Sequence, residues 1–239
     1  MIFYHGTPIG GTKDDARMFL KGKSALVSYA HPDQLAIVQD ACVSYVIDNG
    51  AFSIWRRGGK LNPDAFYKWL EPITNHHGYN YCFIPDVIDG SEEVNNRLID
   101  EFPRELCGVP IWHLNESLEK LEYLSAEWQT VAFGSAGNYA NIGDVKWWSR
   151  IAEAMETVCD GGKPRCGIHG LRMAAPDCFT QIPFESVDST NCAQNAAATA
   201  TKHQLPETWM GAEYIWWKLL GHTPATHWSK CSSIQRQLL

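Results

Sequence analysis

The sequence predicts a (β/α)8 barrel in a single domain, and three observations carry this prediction. The chain has 239 residues, of which 45% are hydrophobic and 20% charged, which suits one well-packed α/β domain. Short apolar runs recur along the chain, and most are followed by a stretch of helical composition. No glycine motif of the dinucleotide-binding type follows the first run, which favours a closed barrel over the alternative, an open flavodoxin-like sheet.

The predicted strands are eight apolar runs. Their near-continuous hydrophobicity is typical of parallel strands that are covered on both faces. In chain order they are Ile2–His5, Ala25–Tyr29, Tyr45–Asp48, Tyr81–Asp86, Val109–His113, Val131–Gly134, Cys166–Gly170 and Phe184–Asp188.

Helices are predicted after residues that commonly begin a helix, such as Asn62 before Pro63. The clearest of them cover residues 65–70, 94–102, 117–124 and 145–158. A further apolar stretch, Trp216–Leu220, predicts a helix in the tail. We therefore expect a catalytic barrel over residues 1–208 and a helical extension over residues 209–239 that packs on the barrel.

Composition and charge narrow the class of function. The net charge is −7, so the chain has no global field that would attract a polyanion, although a local basic patch is compatible with this value. The eight cysteines are scattered and show no C-x-x-C pair, which predicts free thiols in a reducing compartment and no structural zinc. Neither a secretion signal nor a membrane-spanning run is evident. We predict a cytoplasmic protein that uses no cofactor or metal.

Polar residues end six consecutive predicted strands, and this pattern indicates a functional site. Active sites of barrels lie at the carboxyl ends of their strands. Any one aspartate here could instead cap the following helix, and any one histidine could be a hydrogen-bonded core residue. Two carboxylates facing one pocket would suit glycosidic chemistry. The residues that end these strands are Asp48, Asp86, His113, the Gly134–Ser135 turn, His169 and Asp188.

Over residues 44–195 the strand ends resemble the queuine/archaeosine tRNA-guanine transglycosylase superfamily, which is built on a (β/α)8 barrel. Residues 48–53, Asp-Asn-Gly-Ala-Phe-Ser, approximate the family's Asp-Ser-Gly-Gly-Phe-Gln motif, and residues 188–195 look like a shortened form of its nucleophile motif. The family's zinc module and RNA-binding domain have no counterpart. The chain is therefore most similar to short phage enzymes that insert 7-deazaguanine bases into DNA.

The resemblance implies base exchange, in which a guanine of DNA is replaced by a 7-deazaguanine base. Asp188 would attack C1′ of the nucleoside, and Asp48 would carry the proton of the leaving and entering bases. The target guanine would be flipped out or single-stranded. The residues implied to bind the base are Asp86, His113, Gly134, Ser135, His169 and Phe52.

A basic segment follows the Asp48 motif. Arg56, Arg57 and Lys60 lie beside the predicted mouth and could contact DNA phosphates, while a solvated basic loop is an equal alternative.

Three other functions remain open at this level. The enzyme could act on RNA. A metal-dependent barrel hydrolase could use His5, His113, His169 and Asp188 as ligands. A barrel that binds nucleic acid or protein without catalysis is the third possibility.

Overall fold

The computed structural model describes residues 1–229 of the chain, in which strands and helices alternate. The strands are β1 (Ile2–Gly6), β2 (Ser24–Ser28), β3 (Ser44–Asp48), β4 (Tyr79–Phe83), β5 (Gly108–Val109), β6 (Ile111–His113), β7 (Thr130–Gly134), β8 (Cys159–Asp160), β9 (Lys163–Pro164), β10 (Gly167–Gly170) and β11 (Ser186–Ser189). The helices are α1 (Lys13–Leu20), α2 (Leu35–Ala41), α3 (Ala51–Arg56), α4 (Pro63–Leu70), α5 (Glu92–Asp100), α6 (Leu118–Glu127), α7 (Val145–Val158), α8 (Pro176–Phe179), α9 (Asn191–Lys202) and α10 (Thr208–Leu220).

Each predicted apolar run contains a strand, but two of them differ from prediction at prolines. The fourth strand ends at Phe83, so Asp86 lies in the loop beyond it, after Pro85. Pro110 divides the fifth run into β5 and β6. Both changes have one cause, because proline has no N–H to donate to a strand ladder.

The chain divides into two compact units, which we name by the part of the chain that supplies most of each. The first-half unit comprises Phe3–Val109 and Ser189–Leu219. Of the described residues, the second-half unit comprises Met1–Ile2, Pro110–Asp188 and residues 220–229.

The first-half unit contains a parallel sheet in the order β5-β4-β3-β2-β1. Its centre is apolar: Val27, Val46 and Cys82 are fully buried. The register pairs Ser28 with Asp48, so these two side chains lie together at the carboxyl ends of β2 and β3. The sheet thereby fixes the position of the first candidate carboxylate.

The second-half unit contains a parallel sheet in the order β11-β10-β7-β6. Helix α7 covers it with fully buried Trp147, Ile151 and Met155, and Asp144 caps the helix by accepting a hydrogen bond from the Trp147 N–H. The register pairs His169 with Ser186 and His113 with Gly134. The pairings of β10 with β11 and of β6 with β7 therefore fix the positions of these four residues, which lie at or near the candidate site.

The predicted fold class, a (β/α)8 barrel, is confirmed. Each strand of the two sheets is parallel to its neighbours within its unit, and helices connect successive strands, as the sequence pattern indicated. The helices named from the sequence do not include α1, α2, α3, α8 or α9, and the small β8–β9 hairpin was not predicted. Among residues 1–229, no helix combines the length and apolar character needed to cross a membrane.

The tail helix is longer than predicted and packs within the first-half unit. α10 begins at Thr208, where the Trp209 N–H donates to Asp15 Oδ1 at 3.1 Å. Glu213 forms an ion pair with Lys23, and the Trp216 ring lies 4.9 Å from that of Phe3. The division at residue 208 stays a prediction, and residues 230–239 of the expected extension lie outside the described residues.

The seven cysteines of the described chain are free thiols, as expected, and Cys231 lies outside it. Burial raises the pKa of Cys42, Cys178 and Cys192 to about 12. These thiols are therefore protonated at neutral pH, and they pack as small apolar side chains.

Candidate functional site

Asp188 lies at the carboxyl end of β11, where it is 5% exposed. Its Oδ1 accepts a hydrogen bond from the His169 ring at 3.2 Å and one from the backbone N–H of Arg172 at 2.9 Å. Both donors lie on the segment around β10, and the N-cap of the following helix is Thr190. Asp188 is therefore not the cap of α9, and its Oδ2 is the oxygen left for a further partner.

His169 and Ser186 form the support of this carboxylate. The His169 ring is fully buried, with Nε2 toward Asp188 and Nδ1 2.8 Å from the Ser186 hydroxyl. Because a carboxylate only accepts, Nε2 carries a proton. Serine, histidine and aspartate occur in hydrolase triads, but Ser186 is 2% exposed and cannot present its oxygen to a substrate. The carboxylate is the most exposed member of this row.

Arg172 completes this group, and sequence reasoning missed it. Its backbone has φ +60°, a conformation that is uncommon for residues other than glycine. Its guanidinium is exposed and lies 3.5 Å from the Ser135 carbonyl oxygen. The sequence offers no signal for it, because a left-handed arginine cannot be recognised from residue type.

His113 and Gly134, both predicted site residues, are neighbours. A Cβ added to Gly134 would lie 2.7 Å from His113 Nδ1, so glycine is required at this position. Ser135 accepts a hydrogen bond from the Trp147 indole at 2.9 Å. These contacts bring His113, Gly134 and Ser135 together at the ends of β6 and β7.

A buried ion pair stabilises the loop after His113. The His113 N–H donates to Glu116 Oε2 at 2.9 Å, and Glu116 Oε1 lies 2.7 Å from Lys120 Nζ. The Glu116 and Lys120 side chains are 5% and 3% exposed. Arg150 adds hydrogen bonds to the Leu114 and Glu116 carbonyl oxygens. None of these three charged residues was predicted, because their burial follows from tertiary packing.

Asp48 ends β3 in the first-half unit and is half-buried. Its Oδ2 accepts from the Ser28 hydroxyl at 2.7 Å and from the Gly50 N–H at 3.1 Å. Gly50 has φ +75°, and a Cβ there would lie 2.8 Å from the Ala30 nitrogen. The turn that holds Asp48 therefore requires glycine, as its sequence suggested.

Asn49 connects the predicted residue Asp86 to this turn. Its side chain is buried, and Nδ2 donates to Asp86 Oδ1 and to the Ile84 carbonyl oxygen, both at 2.9 Å. Its Oδ1 accepts from the Ala51 N–H at 2.8 Å. The structure thus brings Asp86 beside the Asp48 turn, through an amide that sequence reasoning did not single out.

The remaining predicted residues lie on or near α3. Phe52 and Trp55 are 49% and 44% exposed, their rings are 6.1 Å apart, and the Arg56 guanidinium lies 5.8 Å from the Phe52 ring. We call Phe52, Trp55 and Arg56 the α3 surface. Arg57 contacts the His31 ring at 3.3 Å, and Lys60 is exposed.

The predicted ligands of a metal-dependent hydrolase are not assembled. Within residues 1–229 no group of three or more histidine, cysteine or acidic residues could hold a metal ion. His5 is enclosed by the Phe3, Phe19 and Trp216 rings, and burial lowers its pKa to about 3.

Comparison with known proteins gives a likeness of fold. No family model and no curated protein matches the chain. A candidate fructose-1,6-biphosphate aldolase from Coccidioides immitis is 13% identical with a TM-score of 0.53, covering 100% of this chain and 92% of the other. The YdjI aldolase from Escherichia coli K12 is 12% identical with a TM-score of 0.51, covering 92% and 91%. At such identities the likeness shows the barrel fold alone.

The predicted relation to the tRNA-guanine transglycosylase superfamily is wrong. The two similar solved structures named above are described as aldolases, and no family model matches the chain. The motifs that carried the resemblance have local explanations: the Asp48 motif contains the tight turn at Gly50, and Asp188 is held by β10. Short strand-end motifs of this kind can arise wherever a barrel strand must turn into a helix.

Proposed function

We propose that the chain is an enzyme that breaks a glycosidic bond by covalent catalysis, with Asp188 as the nucleophile. The observation that carries the proposal is the binding of both donors to Oδ1 of Asp188, one from His169 and one from Arg172. These bonds fix the carboxylate and leave Oδ2 to attack. Carboxylates serve as nucleophiles of this kind at anomeric carbons.

The reaction has two displacements. Oδ2 forms a bond to the anomeric carbon while the leaving oxygen or nitrogen departs with the bonding electrons and takes a proton from a general acid. Water or another acceptor then attacks the same carbon, releases the carboxylate and gives its proton to the resulting base. Two inversions retain the configuration. The residue predicted from the sequence for the proton transfer is Asp48.

The names of the aldolase neighbours do not extend to this chain. A Schiff-base aldolase needs a lysine nucleophile, and the strands of the two parallel sheets contain no lysine. The buried Lys120 lies on α6 and is paired with Glu116. The chemistry that the described strand ends offer is that of carboxylates.

The α3 surface supports a nucleic acid as the carrier of the glycosidic bond. Exposed aromatic rings offer platforms on which bases can stack, and arginine contributes attraction to phosphates and to the base faces. Phe52, Trp55 and Arg56 present both features within one short helix. DNA thus remains our proposed partner.

A trapping experiment tests the nucleophile. The full chain is incubated with a panel of 2-deoxy-2-fluoro pentosyl and hexosyl fluorides, whose fluoride leaves without help from an acid and whose adducts hydrolyse slowly. We expect the wild type and Asp177→Asn, a control at an exposed aspartate of α8, to gain the mass of the sugar. Asp188→Asn should gain none. Labelling that persists in Asp188→Asn, or no adduct from any member of the panel, would contradict the proposal.

A further inference from the structure

The turn after β10 contains a strained arginine whose side chain is not needed for the turn. Arg172 has φ +60°, and this conformation directs its N–H to Asp188 Oδ1 at 2.9 Å. Glycine adopts positive φ with little strain and would donate the same hydrogen bond. The turn and its contact with Asp188 therefore do not explain an arginine at this position.

The Arg172 guanidinium lies near the carboxyl end of β7, which is adjacent to β10 in the sheet of the second-half unit. It is exposed beside the carboxyl end of β7, and its one hydrogen bond within residues 1–229 is the 3.5 Å contact with the Ser135 carbonyl oxygen. The backbone of the same residue contacts Asp188. The residue that carries the cation, Arg172, therefore also binds the proposed nucleophile through its backbone N–H.

The charge of Arg172 is not balanced by a carboxylate. Some other arginines of the described chain have such partners: Arg17 pairs with Asp14 and Asp40, and Arg150 pairs with Glu153. No residue in 1–229 forms an ion pair with Arg172, and its planar fork has donors suited to two oxygens of an oxyanion. An exposed guanidinium without an ion pair, on the residue whose N–H binds Asp188, is suited to an anionic substrate.

We propose that the Arg172 guanidinium binds an oxyanion group, a phosphate or a carboxylate, carried by the substrate of Asp188. Without this cation, the negative Asp188 would repel an anionic substrate. The proposal rests on the proposed function only in assigning the anion to the substrate, because the binding itself can be measured without turnover.

Binding is measured by titration calorimetry on the full chain. The probes are ribose 5-phosphate, ribonate and neutral ribose, so that the phosphate and carboxylate sources are separated. For the wild type we expect at least one charged probe to bind about ten-fold more tightly than ribose. Arg172→Gly should lose this preference, because it retains the turn and removes the cation.

A matched pair of variants controls for net charge. Arg172→Gln should reduce oxyanion binding, whereas Arg97→Gln, which removes an exposed arginine on α5, should leave it unchanged. Asp188→Asn should bind the charged probe at least as tightly as the wild type, which separates failure of the subsite from failure of the nucleophile. Equal binding of charged and neutral probes by the wild type, or unchanged preference in Arg172→Gly, would overturn the proposal.

Discussion

Both units end parallel strands with buried or half-buried carboxylates, but they hold them differently. Asp188 is fixed by His169 and Arg172, which precede it by 19 and 16 residues and belong to the neighbouring strand segment. Asp48 is fixed partly by its own turn, through Gly50, and partly by Ser28. A carboxylate that accepts hydrogen bonds from a neighbouring strand segment is positioned only when both segments are folded together. A carboxylate that accepts a hydrogen bond from its own turn is positioned partly by that local turn. This difference is consistent with our proposal that Asp188 is the nucleophile.

The largest expected effect separates the two carboxylates by catalysis. Asp188→Asn should lower kcat by about 10³-fold or more on every substrate, because the covalent step is lost. Asp48→Asn should cost about 10²-fold only where the leaving group needs a proton, and little with a fluoride leaving group. Steady-state kinetics on a substrate found in the trapping panel measures both. If Asp48→Asn lowered kcat equally for all leaving groups, Asp48 would not act as the proton carrier.

The second prediction compares the ion pairs of the two units. Lys120→Met leaves Glu116 charged and buried in the second-half unit, and should lower the free energy of unfolding by about 3–5 kcal/mol. Arg17→Met breaks the exposed pairs with Asp14 and Asp40 in the first-half unit and should lower the free energy of unfolding far less, because water screens exposed ion pairs. Urea denaturation gives both values. If Lys120→Met and Arg17→Met lowered the free energy of unfolding by similar amounts, the buried Glu116–Lys120 pair would not stabilise the loop after His113.

The third prediction contrasts two buried histidines. His169 has hydrogen bonds to Ser186 and Asp188, whereas neither ring nitrogen of His5 has a hydrogen-bond partner within residues 1–229. The pKa of His5 is about 3 in the folded chain and 6.5 ordinarily, so the unfolded state binds more protons between these values. The stability associated with a neutral, buried His5 is therefore fully present above pH 6.5. As the pH falls from 6.5 toward 3, the free energy of unfolding should decrease by about 1 kcal/mol per pH unit.

The variant His5→Phe, whose ring suits the surrounding aromatic rings, removes this titration. The free energy of unfolding of wild type minus variant, measured at pH 7, 6 and 5, should therefore decrease with falling pH. A difference that is independent of pH would show that His5 is not buried in its neutral form.

Two left-handed turns provide the fourth test. Gly50→Ala places a Cβ 2.8 Å from the Ala30 nitrogen at φ +75°, and should destabilise the first-half unit by about 1–3 kcal/mol. Arg172→Gly relieves positive φ and should change stability by less than about 1 kcal/mol. Thermal unfolding distinguishes them. If Gly50→Ala left the thermal stability unchanged, the turn that holds Asp48 would be able to accommodate a Cβ at position 50.

The smallest expected effect is on nucleic-acid binding by the α3 surface. This surface combines a cation with aromatic rings, whereas Arg172 offers only a cation. Trp55→Ala should weaken binding of single-stranded oligothymidylate by about ten-fold or less, because one stacking platform is lost. Trp217→Ala, at a 71% exposed tryptophan of α10, is the matched control. Fluorescence anisotropy measures both. Equal affinities of the two variants would argue against a nucleic-acid partner at α3.

The sequence predicted the features that depend on neighbouring residues. Continuous apolar runs located the strands, and polar residues at their ends located Asp48 and Asp188. Asn49, Arg172 and the Glu116–Lys120 pair were missed, because their importance arises from positive φ, burial or contacts between distant segments. The family resemblance failed for a related reason: it matched short turn motifs and contained no information on how the carboxylates are held.

The central claim is that Asp188 forms a covalent bond to a glycosyl carbon, and peptide mapping of the trapped enzyme tests it most directly. After reaction with the reactive member of the 2-fluoro panel and proteolysis, tandem mass spectrometry locates the sugar. We predict a single adduct on the peptide that contains Asp188, carried by that side chain. An adduct on any other residue, or intact enzyme without an adduct, would contradict the account.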